Sequence, residues 1–506
     1  MMNNLYDDLF LFESHFLYTV CMNWWVLKRR PHISWLIAIA CGGLLVGVFL
    51  AQYVPTTIFS SLFWLIAAVM IAALALQRRY MYLIPVLVVA CVVIGLWRGS
   101  VQEIDLTDLK QLNGQTVTLD GHVRDDVDTN ARGESVIRMD SLHRDGQAIA
   151  GTMWVSAKGS FDIKRGDQIR VSGVVGGGFG SFAASMFQAH VESVQRSQPG
   201  DVARIVRDWF ADAVRLAIPE PAASLGIGYL VGQKRALPAD LIEALQIVGL
   251  THVVVASGYN LTILVRLARR LFERVSKYLS ALAASAMIAS FVAVTGMSPS
   301  MSRAGLVAGL SLAAWYYGRR FHPVILLAFA AAVTVMINPS YAWGDLGWQL
   351  SFAAFAGVMI LAPLFQRFFF GDTQPSIIRQ ILGETVAAII VTAPIVIGAF
   401  GQFSNVAIIA NLLVVPLVPL AMLLTFIAGI GALLFPMAAT LFGTPARLLL
   451  DYMVAVANYL AQLPWAQTKF ELAPIAVAVC YVVLIGVCVL LWRKTRFDLR
   501  DANIVV

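Results

Sequence analysis

Residues 249–265 read GLTHVVVASGYNLTILV, with His252, Ser257, Gly258, Tyr259 and Asn260 set in an otherwise apolar run. A serine near a histidine raises acyl-transfer chemistry, in which the imidazole takes the hydroxyl proton. The spacing argues against it. At roughly 100° per residue, Ser257 falls about 140° from His252 around an unbroken helix, and no acidic residue lies nearby in sequence to orient the ring. Gly258 suggests a different use. A helix that loosens there would leave backbone groups and these polar side chains free to line an aqueous path. The alternative is a packed helix whose small residues allow close approach and whose polar groups bond to neighbouring helices.

Three further clusters have similar chemistry. In SPSMSRAGLVAGL (298–310), Pro299 and Ser302 suit a helix start and Arg303 stands in its first turn. A guanidinium beside free N–H groups can hold phosphate, but it could also snorkel or pair with an acid. In NPSYAWGDLGWQLSFAAFAG (338–357), Asp345 and Gln349 are four apart and so share a helical face, which Phe352 continues. Glu384 enters GETVAAIIVTAPIVIGAF, where Pro394 should kink the helix; Gln402, Asn405 and Asn411 then precede Pro416 and Pro419. Acids and amides within apolar spans are functional candidates by default. Asp345 and Glu384 are equally eligible as structural partners for Arg303. The seven histidines show no metal-ligand spacing and the chain has no GxxxxGK[ST] loop, so neither a metal, another cofactor nor ATP hydrolysis is expected.

The elements that must position these residues follow from composition. The 506 residues are 59% hydrophobic and 13% charged, with a mean hydropathy of +0.74. A soluble domain carries roughly 25% charged residues. Apolar runs of about 18–22 residues, each able to cross roughly 30 Å of hydrocarbon, occupy 33–52, 58–76 and 80–97. About nine more are centred near residues 258, 288, 310, 330, 355, 390, 420, 452 and 482. Lys28, Arg29 and Arg30, then Arg78 and Arg79, then the 266–277, 318–322 and 493–500 segments gather the basic residues of short loops. The bias of such residues to the inner side predicts cytoplasmic termini and sends the third span outward. The five cysteines lie in or beside apolar runs, where small hydrophobes are expected rather than a disulfide framework.

Residues 101–198 break the pattern. Runs such as QTVTLDGHVRD, SVIRMDSL, GTMWVSA and DQIRVSGVV alternate with a period of two and are bounded by Gly, Asp and Asn. They predict a small extracytoplasmic barrel of about five strands, OB-like in type. Such barrels often bind single-stranded nucleic acid, yet this one has ten basic residues against thirteen acidic ones and few aromatics. The expected organisation is therefore a polytopic α-helical membrane protein with an inserted small all-β domain. An N-terminal extension with three spans (1–100) precedes the OB-like domain (101–198). Amphipathic or interfacial helices (199–248), a multi-helix channel domain (249–492) and a basic cytoplasmic tail (493–506) follow it.

Four stretches in this order resemble the ComEC family of competence proteins. They are YLVGQKRALPADLIEALQIVGLTHVVVASGYN, SRAGLVAGL, GDLGWQLSFAAFAGV and APIVIGAFGQFSNVAIIANLLVVPL, across roughly 220–435, and the three spans plus an OB-like domain match that family's usual front end. The resemblance implies a channel for DNA uptake through the inner membrane. An external DNA receptor would deliver the strand and a cytoplasmic helicase-like ATPase would pull it. Many members read SGLH where this chain reads SGYN, so a role needing imidazole at Asn260 does not carry over. Longer members end in a metallo-β-lactamase-like domain. No HxHxDH string occurs here, and any nuclease is expected to be a separate protein.

The leading expectation is passive conduction of single-stranded DNA across the lipid bilayer. Its lining would come from His252, Ser257, Gly258, Tyr259, Asn260, Arg303, Asp345, Gln349, Glu384, Asn405 and Asn411, with no catalytic residue in the chain. A transporter of a small solute or lipid-linked intermediate, coupled through Asp345 or Glu384, is the rival. An intramembrane hydrolase built on Ser257 and His252 is the weakest reading.

Overall fold

The computed structural model describes residues 31–129, 133–159, 161–196, 200–233, 237–254, 258–296, 299–318, 322–371, 373 and 376–496. The first 30 residues, Ser257 and the end of the basic tail lie outside the described residues. Among these, seven helices are long and apolar enough to cross a membrane: Ile33–Leu50, Met81–Asp105, Lys277–Thr295, Leu346–Phe370, Ile378–Phe400, Ala407–Leu434 and Pro474–Thr495. Shorter apolar helices occupy Leu62–Arg78, Ala222–Val231 and Val324–Ile337. The chain is a polytopic helical membrane protein with a small β domain.

Several spans read from hydropathy need correction. The run centred near 258 gives a single turn, Thr251–Val254, and a helix, Gly258–Glu273, that carries Arg266, Arg269 and Arg270 in its second half. Three arginines within five residues are costly in hydrocarbon, and this amphipathic helix is outside the set of seven. The runs near 310 and 452 form long helices, Pro299–Tyr316 and Ala439–Ala461, outside the set of seven. The second holds an Arg447–Asp451 ion pair at 3.4 Å. Within 199–248, helix Ala222–Val231 is not interfacial: it carries no charge and is buried at nine of its ten positions. Pro394 sits inside a continuous helix, Ile377–Phe400. Breaks appear instead as a π turn at Gly357–Leu361 and a 3-10 turn at Val415–Leu417, the latter at Pro416. Gly357 lets its helix touch the next one, since a Cβ there would stand 2.7 Å from the Ala387 carbonyl oxygen.

The chain divides into two compact units, residues 1–104 with 331–342 and the remainder. In the first, Gly43, Gly47 and Ala51 of helix Ile33–Leu50 and its cap meet Cys91, Gly95 and Gly99 of helix Ile84–Asp105. The spacing of four puts each set on one stripe. A Cβ on Gly47 would collide with the Val92 carbonyl, and one on Gly95 with the Leu44 carbonyl. Lipid gives no hydrophobic drive for helix pairing, so close backbone contact between small residues supplies it. In the same unit Arg98 donates from Nε to the Met336 carbonyl at 2.8 Å and from Nη2 to the Ile337 carbonyl at 2.9 Å. These are carbonyls that the end of a helix cannot bond internally.

In the second unit, five longer strands build the β domain, β1 (Thr116–Val123), β2 (Ser135–Arg144), β3 (Met153–Ala157), β4 (Gln168–Phe179) and β5 (Phe182–Gln195), and the short strands Asp128–Thr129 and Gln147–Ile149 pair with β2. They pair in the order β1-β4-β5-β3-β2, and β2 returns to β1 to close the ring. β3 and β5 run parallel and the other neighbours antiparallel. Strand alternation turns Val117, Leu119 and Val123 inward with Ile137, Met139, Met153, Val155, Ile169, Val171 and Met186.

Three polar contacts seat this barrel on the helices. Arg165, buried in the turn before β4, donates to Asp201 at 2.6 Å and to the Ala293 and Val294 carbonyls at 3.2 Å. Those carbonyls end helix Lys277–Thr295. Arg207, on helix Val202–Ala217, reaches Asp126 with both Nη atoms and Asp208 beside it. At the β4–β5 turn, Ser181 donates to Asp345 at 3.0 Å, and Gly180 meets Gly344 so closely that any side chain on Gly344 would collide with it.

Two predictions follow from this packing. Gly47→Ala or Gly95→Ala should cost about 1–3 kcal/mol in thermal or denaturant unfolding of the detergent-solubilised protein; unchanged stability would remove the small-residue stripe as the cause of pairing. Burial alone would raise the Asp201 carboxyl, but its bonds to Arg165 and the Arg204 N–H outweigh this and hold it below the ordinary carboxylate range. Its contribution is therefore present at neutral pH, above the unfolded pKa near 4, and lost as pH falls through the lower folded value. The melting temperature should drop on acidification below about pH 4, and Asp201→Asn should lower it at neutral pH while flattening that acid limb.

Candidate functional site

The most unusual polar group within the helices is Arg303. Helix Pro299–Tyr316 begins at a proline, suited to its first turn, and places Arg303 one turn further in with 8% exposure. Its Nε has no hydrogen-bond partner among the described residues. The guanidinium carbon lies 5.7 Å from the Phe352 ring centre and 5.4 Å from that of Phe355. Those rings come from helix Leu346–Ala356, pinned to Arg303's helix by the Ser300 and Ser351 hydroxyls at 3.3 Å. Trp348 packs on Phe352 at 4.5 Å between centres. On the other side stands Gly258: Nη2 would be 3.3 Å from a Cβ there, so the missing side chain leaves the guanidinium room.

The other sequence candidates fall into distinct settings. Tyr259 is 44% exposed and within electrostatic reach of Glu384 and Arg266. Glu384 accepts a hydrogen bond from Gln380 at 2.8 Å. Asn260 is fully buried and donates to the Tyr229 carbonyl at 3.0 Å. Asn411, also buried, donates to the Ala407 carbonyl one turn back at 2.8 Å. Asn405 ties a small hairpin, donating to the Trp465 carbonyl at 2.9 Å and the Thr468 hydroxyl at 2.7 Å. These three amides hold protein backbone. His252 occupies the turn Thr251–Val254, and its pairing with Ser257 involves a residue outside the described set.

Asp345 and Gln349 do not present a shared helical face to Arg303. Asp345 is the N-cap, accepting from the Trp348 N–H at 2.7 Å as well as from Ser181, and Gln349 donates to the Trp343 carbonyl at 3.1 Å. Neither Asp345 nor Glu384 forms an ion pair with Arg303. The structure therefore joins Gly258, Arg303 and the two phenylalanines, and separates the acids from them. Phe355 was the missed member; its spacing of three from Phe352 is the signal for a shared face.

A second basic–aromatic group lies at the opposite end of helix Lys277–Thr295 from Arg165. Arg269 sits 5.0 Å from the Trp315 ring centre, and Lys277 is 5.6 Å from those of Trp315 and Tyr316.

A buried charge without a counter-charge costs several kcal/mol, and each cation–π contact returns only about 0.5–2. Arg303 should therefore weaken the fold. Arg303→Met, similar in length and apolar, is expected to leave unfolding free energy unchanged or raise it by about 1–2 kcal/mol. A loss of more than about 2 kcal/mol would show instead that Arg303 holds the helices together.

Comparisons with known proteins agree with this architecture. The family model "Competence protein" matches residues 229–495. ComE operon protein 3 of Bacillus subtilis (strain 168) is 25% identical over 218 residues, 42% of this chain and 27% of that protein. The match thus spans little more than a quarter of the curated relative's length. No solved structure matches. Because the family match takes in more than half of the residues, including Gly258, Arg303, Phe352 and Phe355, the chain belongs to the competence protein family.

Proposed function

We propose that this chain conducts single-stranded DNA across the cytoplasmic membrane during natural transformation. Family membership supports a role in DNA uptake. The observation that carries the finer reading is the β4–β5 hairpin, whose tip rests on the Asp345 end of a spanning helix while its sides carry a group of aromatic rings. Trp154 lies 5.4 Å from both Phe179 and Phe182, Phe187 stacks on Phe179 at 6.3 Å and 15°, and Arg138 covers Trp154 at 5.2 Å. Phe179 and Phe187 are 43% and 59% exposed. Unpaired bases stack on such rings with little regard to sequence. The closed order of the five longer strands, with β3 and β5 parallel, supports the OB-like reading of the domain. Because the domain's net charge is negative, stacking rather than phosphate attraction would dominate there.

The barrel would lie outside the membrane. Arg165 finishes one end of helix Lys277–Thr295, whereas Arg266, Arg269, Arg270 and Arg274 gather just before its other end, where the positive-inside bias favours cytoplasm. In this reading an external receptor hands over the strand, a cytoplasmic helicase-like ATPase draws it inward and a separate nuclease removes its complement. The chain itself performs no covalent step. A solute transporter coupled through Asp345 is less favoured, because that carboxylate already bonds Trp348 and Ser181.

Deleting the gene should abolish transformation while cells still bind DNA at their surface; normal transformation would overturn the reading. Replacing Phe179 and Phe187 together with alanine should weaken binding of an oligothymidylate by about tenfold or more, without lowering the melting temperature. Equal affinity would remove the hairpin from the DNA path.

A further inference from the structure

We propose that Arg303, flanked by Phe352 and Phe355 and facing the side-chain-free Gly258, is a binding site for a phosphodiester monoanion, which supplies the counter-charge the helices withhold. The inference deepens the conduction reading and rests on it for the identity of the ligand as a DNA backbone. It starts from a comparison of arginines. Arg98 bonds the carbonyls of Met336 and Ile337; Arg165 bonds those of Ala293 and Val294 and the carboxylate of Asp201; Arg207 bonds Asp126 and Asp208. Each of these guanidinium groups finishes a helix end or meets an acid. Arg303 does neither among the described residues, although it is as buried as Arg165: they are 8% and 6% exposed.

The surroundings narrow the ligand. Asp345 is held by Trp348 and Ser181, and Glu384 by Gln380, so neither acid fills the role. Phe352 and Phe355 lie 5.7 and 5.4 Å from the guanidinium carbon, and a guanidinium is the side chain suited to planar, two-point contact with an oxyanion. Gly258 lets the guanidinium pack close against the backbone of the neighbouring helix, since a Cβ there would stand 3.2 Å from Ala304 Cβ and 3.3 Å from Arg303 Nη2. Trp348, tilted 40° against Phe352, adds an aromatic face near the charge, which suits a base attached to the phosphate. A phosphodiester is also the head of a membrane lipid, so the test must separate the two sources.

The full chain is reconstituted in phosphatidylcholine nanodiscs, and binding of a 20-residue oligothymidylate is measured against salt for wild type, R303Q and R303K. R303Q should raise Kd roughly tenfold and reduce the slope of log K on log salt by about 0.7, the contribution of one single-strand phosphate. R303K should keep the slope while losing part of the affinity. An oligomer with an uncharged methylphosphonate backbone should bind all three alike. Equal affinity and slope in wild type and R303Q overturn the site, even if the wild type passes DNA and conduction stands. If no variant binds the oligomer, but phosphatidylglycerol raises the melting temperature of wild type and not of R303Q, the site holds a lipid phosphodiester and the conduction reading falls. If phosphatidylglycerol also acts equally on both, the site is overturned.

Discussion

A helix that ends in or near lipid leaves backbone carbonyls or N–H groups that water cannot reach, and the protein must supply their partners itself. Much of this structure answers that constraint. Arg98 bonds the last carbonyls of the helix ending at Ile337, and Arg165 does the same at Val294 from a turn of the β domain. The Asp345 N-cap takes a second bond from Ser181, at the tip of a β hairpin. The barrel is thus not merely tethered by chain connectivity. It completes two helix ends in its own unit, which ties its position to theirs.

Arg303 departs from this pattern and so stands out. A cation with two neutral rings and no acceptor among the described residues is poor structure, but it is a ready receptor for an anion that comes and goes. The same low-dielectric surroundings that make its charge costly would strengthen its hold on a phosphate. The amides read as pore lining from sequence behave in the opposite way. Asn260, Asn405 and Asn411 direct their N–H groups at carbonyls of the chain and hold breaks and turns in shape. The three amides thus stabilise the scaffold, whereas Arg303 Nε has no hydrogen-bond partner among the described residues.

Aromatic residues link the two parts of the proposed path. The hairpin bearing Phe179, Phe182 and Phe187, beside Trp154 of β3, turns at Ser181, which bonds Asp345. The helix that Asp345 caps then presents Trp348, Phe352 and Phe355 in succession. Stacking faces thus occur on both sides of a single hydrogen bond, with little net charge on the outer side and a buried guanidinium on the inner.

Hydropathy alone determined that this is a multi-pass membrane protein with a β insert, because long apolar runs and period-two alternation are local properties. The same reasoning set out about twelve apolar runs, of which seven described helices are long and apolar enough to cross a membrane. It could not tell that 258–273, with three arginines, lies as an amphipathic helix, or that 222–231 is buried against other helices rather than at an interface. It also singled out Arg303, Asp345 and the amides, without being able to assign their partners. Those partners are distant in sequence: Arg165 and Val294 are 129 residues apart, Ser181 and Asp345 164. Only the tertiary structure decided which polar groups are satisfied, since hydrogen-bond satisfaction depends on contacts across the fold and not on residue type.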